Sequence, residues 1–232
     1  MFVALARRFM RSVFLFIGAC LVLCAPAQAA QRERPLRMAR VDPGLAELQS
    51  APLQTFGTTS VPFGWAEFCQ RSENKGDCAV EKLEAVAIVL DRDLLRRIDR
   101  VNRFVNDAIE PVTDIENYGV EEFWAYPDNG KGDCEDYVLL KRRMLMQAGV
   151  PRQALLITIV RDRAGEGHAV LTVKTSEGDL VLDNKTNRIE AAGRSPYLFV
   201  KRQSDEDPNV WVSLRERGAP VLAAAGTATA GR

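Results

Sequence analysis

Cys134 stands in the run Gly132-Asp133-Cys134-Glu135-Asp136-Tyr137, a thiol set among carboxylates. A structural cysteine behaves as a small hydrophobe and takes apolar neighbours, whereas a nucleophilic one gains from a helix N-terminus and a nearby base. His168, in Gly167-His168-Ala169-Val170, is the only histidine of the chain. Its side chain is the one whose ordinary pKa allows proton exchange near neutrality. Asp183 closes the apolar run Leu180-Val181-Leu182. These three residue types suit acyl transfer: a thiolate attacks a carbonyl carbon, an imidazole takes the thiol proton and later protonates the leaving amine, and a carboxylate fixes the imidazole tautomer. Each also has a plain reading, as an inert thiol, a satisfied strand histidine and a strand-ending aspartate before Asn184.

The elements around them have to bring the three together. Asp91 to Ile109 places Leu94, Leu95, Ile98, Val101, Val105 and Ile109 at helical spacing and stops at Pro111, which predicts a core-packing helix. A second helix is predicted from Cys134 to Ala148, ended by Gly149 and Pro151. Cys134 then falls on a helix start, where backbone N–H groups can serve an oxyanion. Strands are predicted over 155–161, 168–174, 179–183, 197–202 and 209–214 from β-branched and aromatic runs between turn residues. Helices first and an antiparallel sheet after them give an α+β fold class. The turn within Thr175-Ser176-Glu177-Gly178 decides the pairing. A loop of two or four residues leaves His168 and Asp183 on one sheet face, opposite or diagonal, and an odd loop separates them.

Asp133, Glu135 and Asp136 oppose this chemistry, because like charges raise a thiol pKa. A bound Ca²⁺, which takes several carboxylate and backbone oxygens, would offset them. Acidic residues in a first helical turn also simply complement the macrodipole, and spacing alone leaves both readings standing. A zinc site is excluded, since one histidine and scattered cysteines give no ligand spacing. Trp124 and Tyr126, just ahead of the second helix, suit either a substrate groove or packing, and Trp65 and Trp211 suit core anchors.

The N-terminus points to export. Arg7, Arg8 and Arg11 precede an apolar run from Ser12 to Ala25, and Ala27-Gln28-Ala29 offers small residues for cleavage, so 1–29 is expected to be a signal peptide and the protein periplasmic. Of 31 Lys+Arg, three lie in that segment, leaving 28 against 31 Asp+Glu, a net charge of −3. The absence of a basic surplus speaks against nucleic acid as a partner. Cys20 and Cys24 leave with the signal, so Cys69 and Cys78 are the natural disulfide pair across a polar loop and Cys134 stays free. Residues 30–60 are expected to be an extended leader, 61–215 one domain, and 216–232 a disordered Ala/Gly-rich tail.

The stretches GDCEDYVLLKRRML, GHAVLTV, GDLVLDN and FVKRQS, with the later DP and WVSL, resemble the bacterial transglutaminase-like cysteine proteinases over about residues 61–215. The resemblance implies a papain/transglutaminase-like core with helices packed on an antiparallel sheet. It aligns nucleophile, base and orienting acid with Cys134, His168 and Asp183, and makes Asp133, Glu135 and Asp136 ligands of Ca²⁺. It further implies a protein substrate, in the adhesin-cleaving branch the N-terminal region of a large secreted adhesin with a paired-alanine site, and an inner-membrane cyclic di-GMP receptor as regulatory partner. A transglutaminase or amidase would share the acyl-enzyme, and a non-catalytic binding module would keep only the fold.

Overall fold

The structure, a computed structural model, describes residues 43–79 and 82–216. The expected signal peptide, residues 30–42 of the leader and residues 217–232 of the tail lie outside the described residues. In chain order the elements are α1 (Pro43–Ala46), β1 (Thr58–Thr59), α2 (Phe63–Gln70), α3 (Arg92–Ala108), β2 (Glu110–Pro111), α4 (Asp114–Asn117), β3 (Lys131–Gly132), α5 (Cys134–Gln147), β4 (Leu155–Arg161), β5 (Gly167–Thr175), β6 (Gly178–Leu182), β7 (Glu190–Ala191), β8 (Leu198–Gln203) and β9 (Trp211–Ser213). Seven strands form one antiparallel sheet in the order β1-β9-β8-β4-β5-β6-β7, and β2 and β3 make a short parallel pair. This is the α+β arrangement of helices on an antiparallel sheet.

Local chemistry sets the two long helices. Asp91 caps α3 by accepting from Leu94 N at 2.7 Å. α5 ends at Gly149, whose φ of +84° lies in the left-handed region where glycine carries no steric penalty. Together they cover one face of the sheet, where Ala169, Leu171, Val173, Leu180 and Leu182 meet Ile98, Val105, Val138 and Leu139. Ile98, Leu139 and Leu171 are wholly buried, and each such side chain stabilises the fold by about 1.5–3 kcal/mol.

Alternation along β5 and β6 puts Val160, Val170, Val181 and Ala192 in a second, smaller cluster, against which Leu53 packs. The described part of the leader is tied to the sheet: Ser50 N donates to Glu177 O at 2.9 Å, Leu53 N to Asp179 Oδ2 at 2.7 Å, and Thr58 and Thr59 pair with β9 as β1. A disulfide joins Cys69 at the end of α2 to Cys78. Helix α2, which Pro62 precedes, is not among the helices predicted from the sequence, yet it buries Trp65 and Phe68. Among the described residues no helix is long and apolar enough to cross a membrane.

Candidate active site

The β5–β6 turn has two residues, Ser176 and Glu177, with Thr175 paired to Gly178. The ladder runs to Leu171 opposite Leu182. One further step sets Asp183 diagonal to His168 on the same face. There His168 Nε2 lies 2.8 Å from Asp183 Oδ1, with the two residues only 5% and 4% exposed. With Nε2–H committed to the carboxylate, Nδ1 is the nitrogen free to accept a proton.

Asp183 is held at both carboxylate oxygens and at its carbonyl. Lys185 N donates to Oδ1 at 3.1 Å and Tyr197 OH to Oδ2, while Lys141 Nζ and Asn106 Nδ2 each donate to the main-chain carbonyl at 2.9 Å. Burial alone would raise this carboxyl, but the donors from His168, Tyr197 and Lys185 N outweigh it and hold it below the usual aspartate value. Lys141 follows Cys134 by two helical turns and is wholly buried, which lowers its ammonium to about 7 against the opposing pull of Asp183.

Cys134 opens α5, and its Sγ accepts from Ala169 N at 3.4 Å, one residue past His168. The thiol donates to Glu135 Oε2 at 3.1 Å. Burial, and then the Glu135 charge, push it well above the ordinary thiol value, while Ala169 N pulls the other way. Cys134, Glu135, His168, Trp124, Pro62 and Lys201 line a cleft of about 250 Å³. Trp124 therefore both packs, at 2% exposure, and walls the cleft. Tyr126 is not part of that lining: its ring lies 5.7 Å from Phe68, with the Arg143 guanidinium over its face.

The backbone of Gly64 lies under the Trp124 indole, whose Nε1 donates to Glu122 Oε1 at 2.7 Å. A Cβ at this position would overlap Trp124 Cδ1 and Nε1. Gly64→Ala is therefore expected to cost about 1–3 kcal/mol, because the overpacked indole must shift. A lower thermal midpoint with altered tryptophan fluorescence checks this, and a wild-type midpoint would contradict the contact.

The carboxylates divide into two overlapping groups. Asp114, Asp133 and Asp136 offer oxygens within 4.8 Å of one another, and so do Asp133 and Glu135 with Cys134 Sγ. Asp133 and Asp136 are thus brought together with Asp114, which sequence reasoning missed, while Glu135 turns to the thiol. Asp136 Oδ1 accepts from Ala125 N at 2.8 Å, and Asp114 Oδ2 accepts from Phe123 N. Asp114 Oδ1, Asp133 Oδ1 and Asp136 Oδ2 remain buried without a partner. Burial is the main cause that raises Asp114 to about 6 and Asp136 to about 8, with the Asp133 charge adding to both. Burial and Asp133 likewise raise Glu135. Gly132 permits this crowding, since a Cβ there would fall 2.5 Å from Asp136 Oδ2. The signal for Asp114 in the sequence is Thr113-Asp114-Ile115-Glu116, a capping box that marks a helix start.

Helices on an antiparallel sheet, with a thiol at a helix start beside a strand histidine, define a cysteine peptidase of the papain/transglutaminase-like kind. The family described as bacterial transglutaminase-like cysteine proteinase BTLCP matches residues 55–219, and the chain belongs to it. Its substrate is accordingly protein. Among solved structures the chain is similar to calcium-bound Legionella pneumophila LapG, at 26% identity over 56% of this chain and 74% of that one, with a TM-score of 0.46. Two further structures of that protein give 28% identity, and 29% for an EGTA-treated form, each over 51% of this chain and 67% of that one with a TM-score of 0.44. No curated protein matches the chain.

Proposed function

We propose that this cysteine peptidase is an exported, calcium-dependent endopeptidase that uses Cys134 as nucleophile, His168 as base and Asp183 as orienting acid. The observation that carries the reading is the buried contact of 2.8 Å between His168 Nε2 and Asp183 Oδ1, one residue from the backbone N–H that touches the Cys134 sulfur. Asp183 fixes the tautomer in which Nδ1 takes the thiol proton, and the resulting thiolate attacks the scissile carbonyl. The Cys134 N–H at the start of α5 is placed to donate to the developing oxyanion. His168 returns its proton to the leaving amine, and water then resolves the acyl-enzyme.

Asp114, Asp133 and Asp136 fit a hard cation. Their three unpartnered buried oxygens are acceptors without donors, and oxygen-only ligation suits Ca²⁺. Glu135 completes the set implied by family resemblance. Bound there, the cation supplies positive charge that offsets the carboxylates facing the thiol.

Family membership and the export signature in residues 1–29 support a periplasmic location and, as substrate, the N-terminal region of a large surface adhesin cut at a paired-alanine site. An inner-membrane cyclic di-GMP receptor is the regulatory partner in this reading. A purified N-terminal adhesin fragment from the same organism is expected to be cut once, at its alanine pair, by calcium-loaded wild type and to stay whole with Cys134→Ala. An intact fragment after incubation with the wild type would refute the adhesin assignment.

A further inference from the structure

Tyr197 touches both halves of the His168–Asp183 pair, although the acyl-transfer chemistry does not itself call for a tyrosine. Its hydroxyl donates to Asp183 Oδ2, the oxygen left over once His168 Nε2 and Lys185 N have taken Oδ1. Its ring lies 5.4 Å from the His168 imidazole, centroid to centroid, at a tilt of 47°. The residue comes from a part of the chain remote from both α5 and β5. It directly precedes β8, follows the 3₁₀ turn Ala192–Arg194, and packs against the cluster of Val160, Val170 and Val181. That cluster holds the residues alternating in phase with His168 on β5 and Asp183 after β6, so Tyr197 approaches the pair from the sheet face opposite the main core.

We propose that Tyr197 is a positioning residue of the catalytic triad, one that sets the plane of the Asp183 carboxylate and braces the His168 ring. The proposal rests on the triad reading above. A carboxylate turns easily about its terminal torsion, so donors on one oxygen fix a distance while donors on both oxygens fix the plane. Lys141 and Asn106 grip the Asp183 carbonyl and set only the main chain. The carboxylate orientation is thus left to His168, Lys185 N and Tyr197. Removing the phenol hydroxyl strands a buried carboxylate oxygen, and the group then rotates toward water or takes a proton. Either response loosens the Nε2 contact that keeps Nδ1 ready for the thiol. Burial and the Asp183 charge push the Tyr197 phenol well up, so it stays a donor across the working pH range.

The test follows alkylation of Cys134 by iodoacetamide in the calcium-loaded protein at neutral pH, read by peptide mass mapping, because only the thiolate reacts. Cys134 is the free cysteine among the described residues. Tyr197→Phe is expected to slow the reaction about tenfold while the protein stays folded, its thermal midpoint lower by about a few degrees, and Asp183→Asn to slow it further. The double variant should react at the Asp183→Asn rate, since without the carboxylate there is nothing left to position. A purely structural tyrosine would instead slow both backgrounds by the same factor, and that result, or a wild-type rate for Tyr197→Phe, overturns the proposal. Asp183→Asn reacting at the wild-type rate would overturn the triad itself. Asp183→Asn slow beside a fast Tyr197→Phe overturns only the role of Tyr197.

Discussion

Cys134→Ala is expected to fold like the wild type and to cleave no substrate, with a loss of at least about 10⁴-fold in kcat/KM. The fold should tolerate the change because the sulfur is only half-buried and its two polar contacts, Ala169 N and Glu135 Oε2, both lie at the cleft. Alanine is also a good helix former for the first turn of α5. Activity should not survive, because Cys134 is the free thiol among the described residues and shares the cleft with His168. His168→Ala should cost nearly as much, since it removes the proton acceptor and leaves Asp183 Oδ1 with only Lys185 N. Asp183→Asn should cost less than the base, as it keeps the size of the group and changes the tautomer it selects. Circular dichroism and the thermal midpoint establish folding, and cleavage of the adhesin fragment gives the rates. Residual Cys134→Ala activity within tenfold of wild type would show that another group performs the chemistry.

What could be read from the chain was local. The period of two along β5 and β6 follows from residues 168–183 alone. The loop length that decides the pairing is open in the sequence, and the ladder sets the turn at two residues and brings His168 and Asp183 to one face. The helix start at Cys134 is likewise set by neighbours within a turn. Asp114 was not legible, because its approach to Asp133 and Asp136 depends on how α4 and the chain at Phe123 to Ala125 fold over the start of α5. The different course of Glu135 has a simple cause that spacing does contain. Residues three apart share a helical face, as Asp133 and Asp136 nearly do, whereas Glu135 is turned by about 100° from Asp136 toward the thiol. Tyr197 was legible only as a strand residue, since its meeting with Asp183 is made by the sheet order that sets β8 beside β4 and β4 beside β5.

Removal of calcium by EGTA is expected to abolish cleavage and to make stability depend on pH in a definite direction. Asp114 at about 6 and Asp136 at about 8 lie above their ordinary value of 3.8, and Glu135 is raised as well, in each case chiefly by burial. A folded chain that holds protons which the unfolded chain releases loses stability as pH rises. As far as these groups are concerned, the metal-free protein should therefore be most stable below their ordinary value of 3.8, and its thermal midpoint should fall as pH climbs from there toward 8, most steeply up to about 6 where both groups contribute. Calcium removes the reason for the protons, so the loaded protein should show a flat profile over the same window and a higher midpoint. Binding at a hundred times Kd adds about 2.7 kcal/mol, a shift of several degrees for a domain of this size. Asp136→Asn should blunt the calcium response, because it removes one of the three unpartnered oxygens and part of the charge. The catalytic loss has the same origin: with no cation to offset them, burial and the neighbouring Glu135 and Asp133 carboxyl groups push the Cys134 thiol up, so EGTA should slow its alkylation as well as cleavage. Identical midpoints, pH slopes and cleavage rates with and without EGTA would mean that these carboxylates hold no cation and that their crowding at the helix start has another cause.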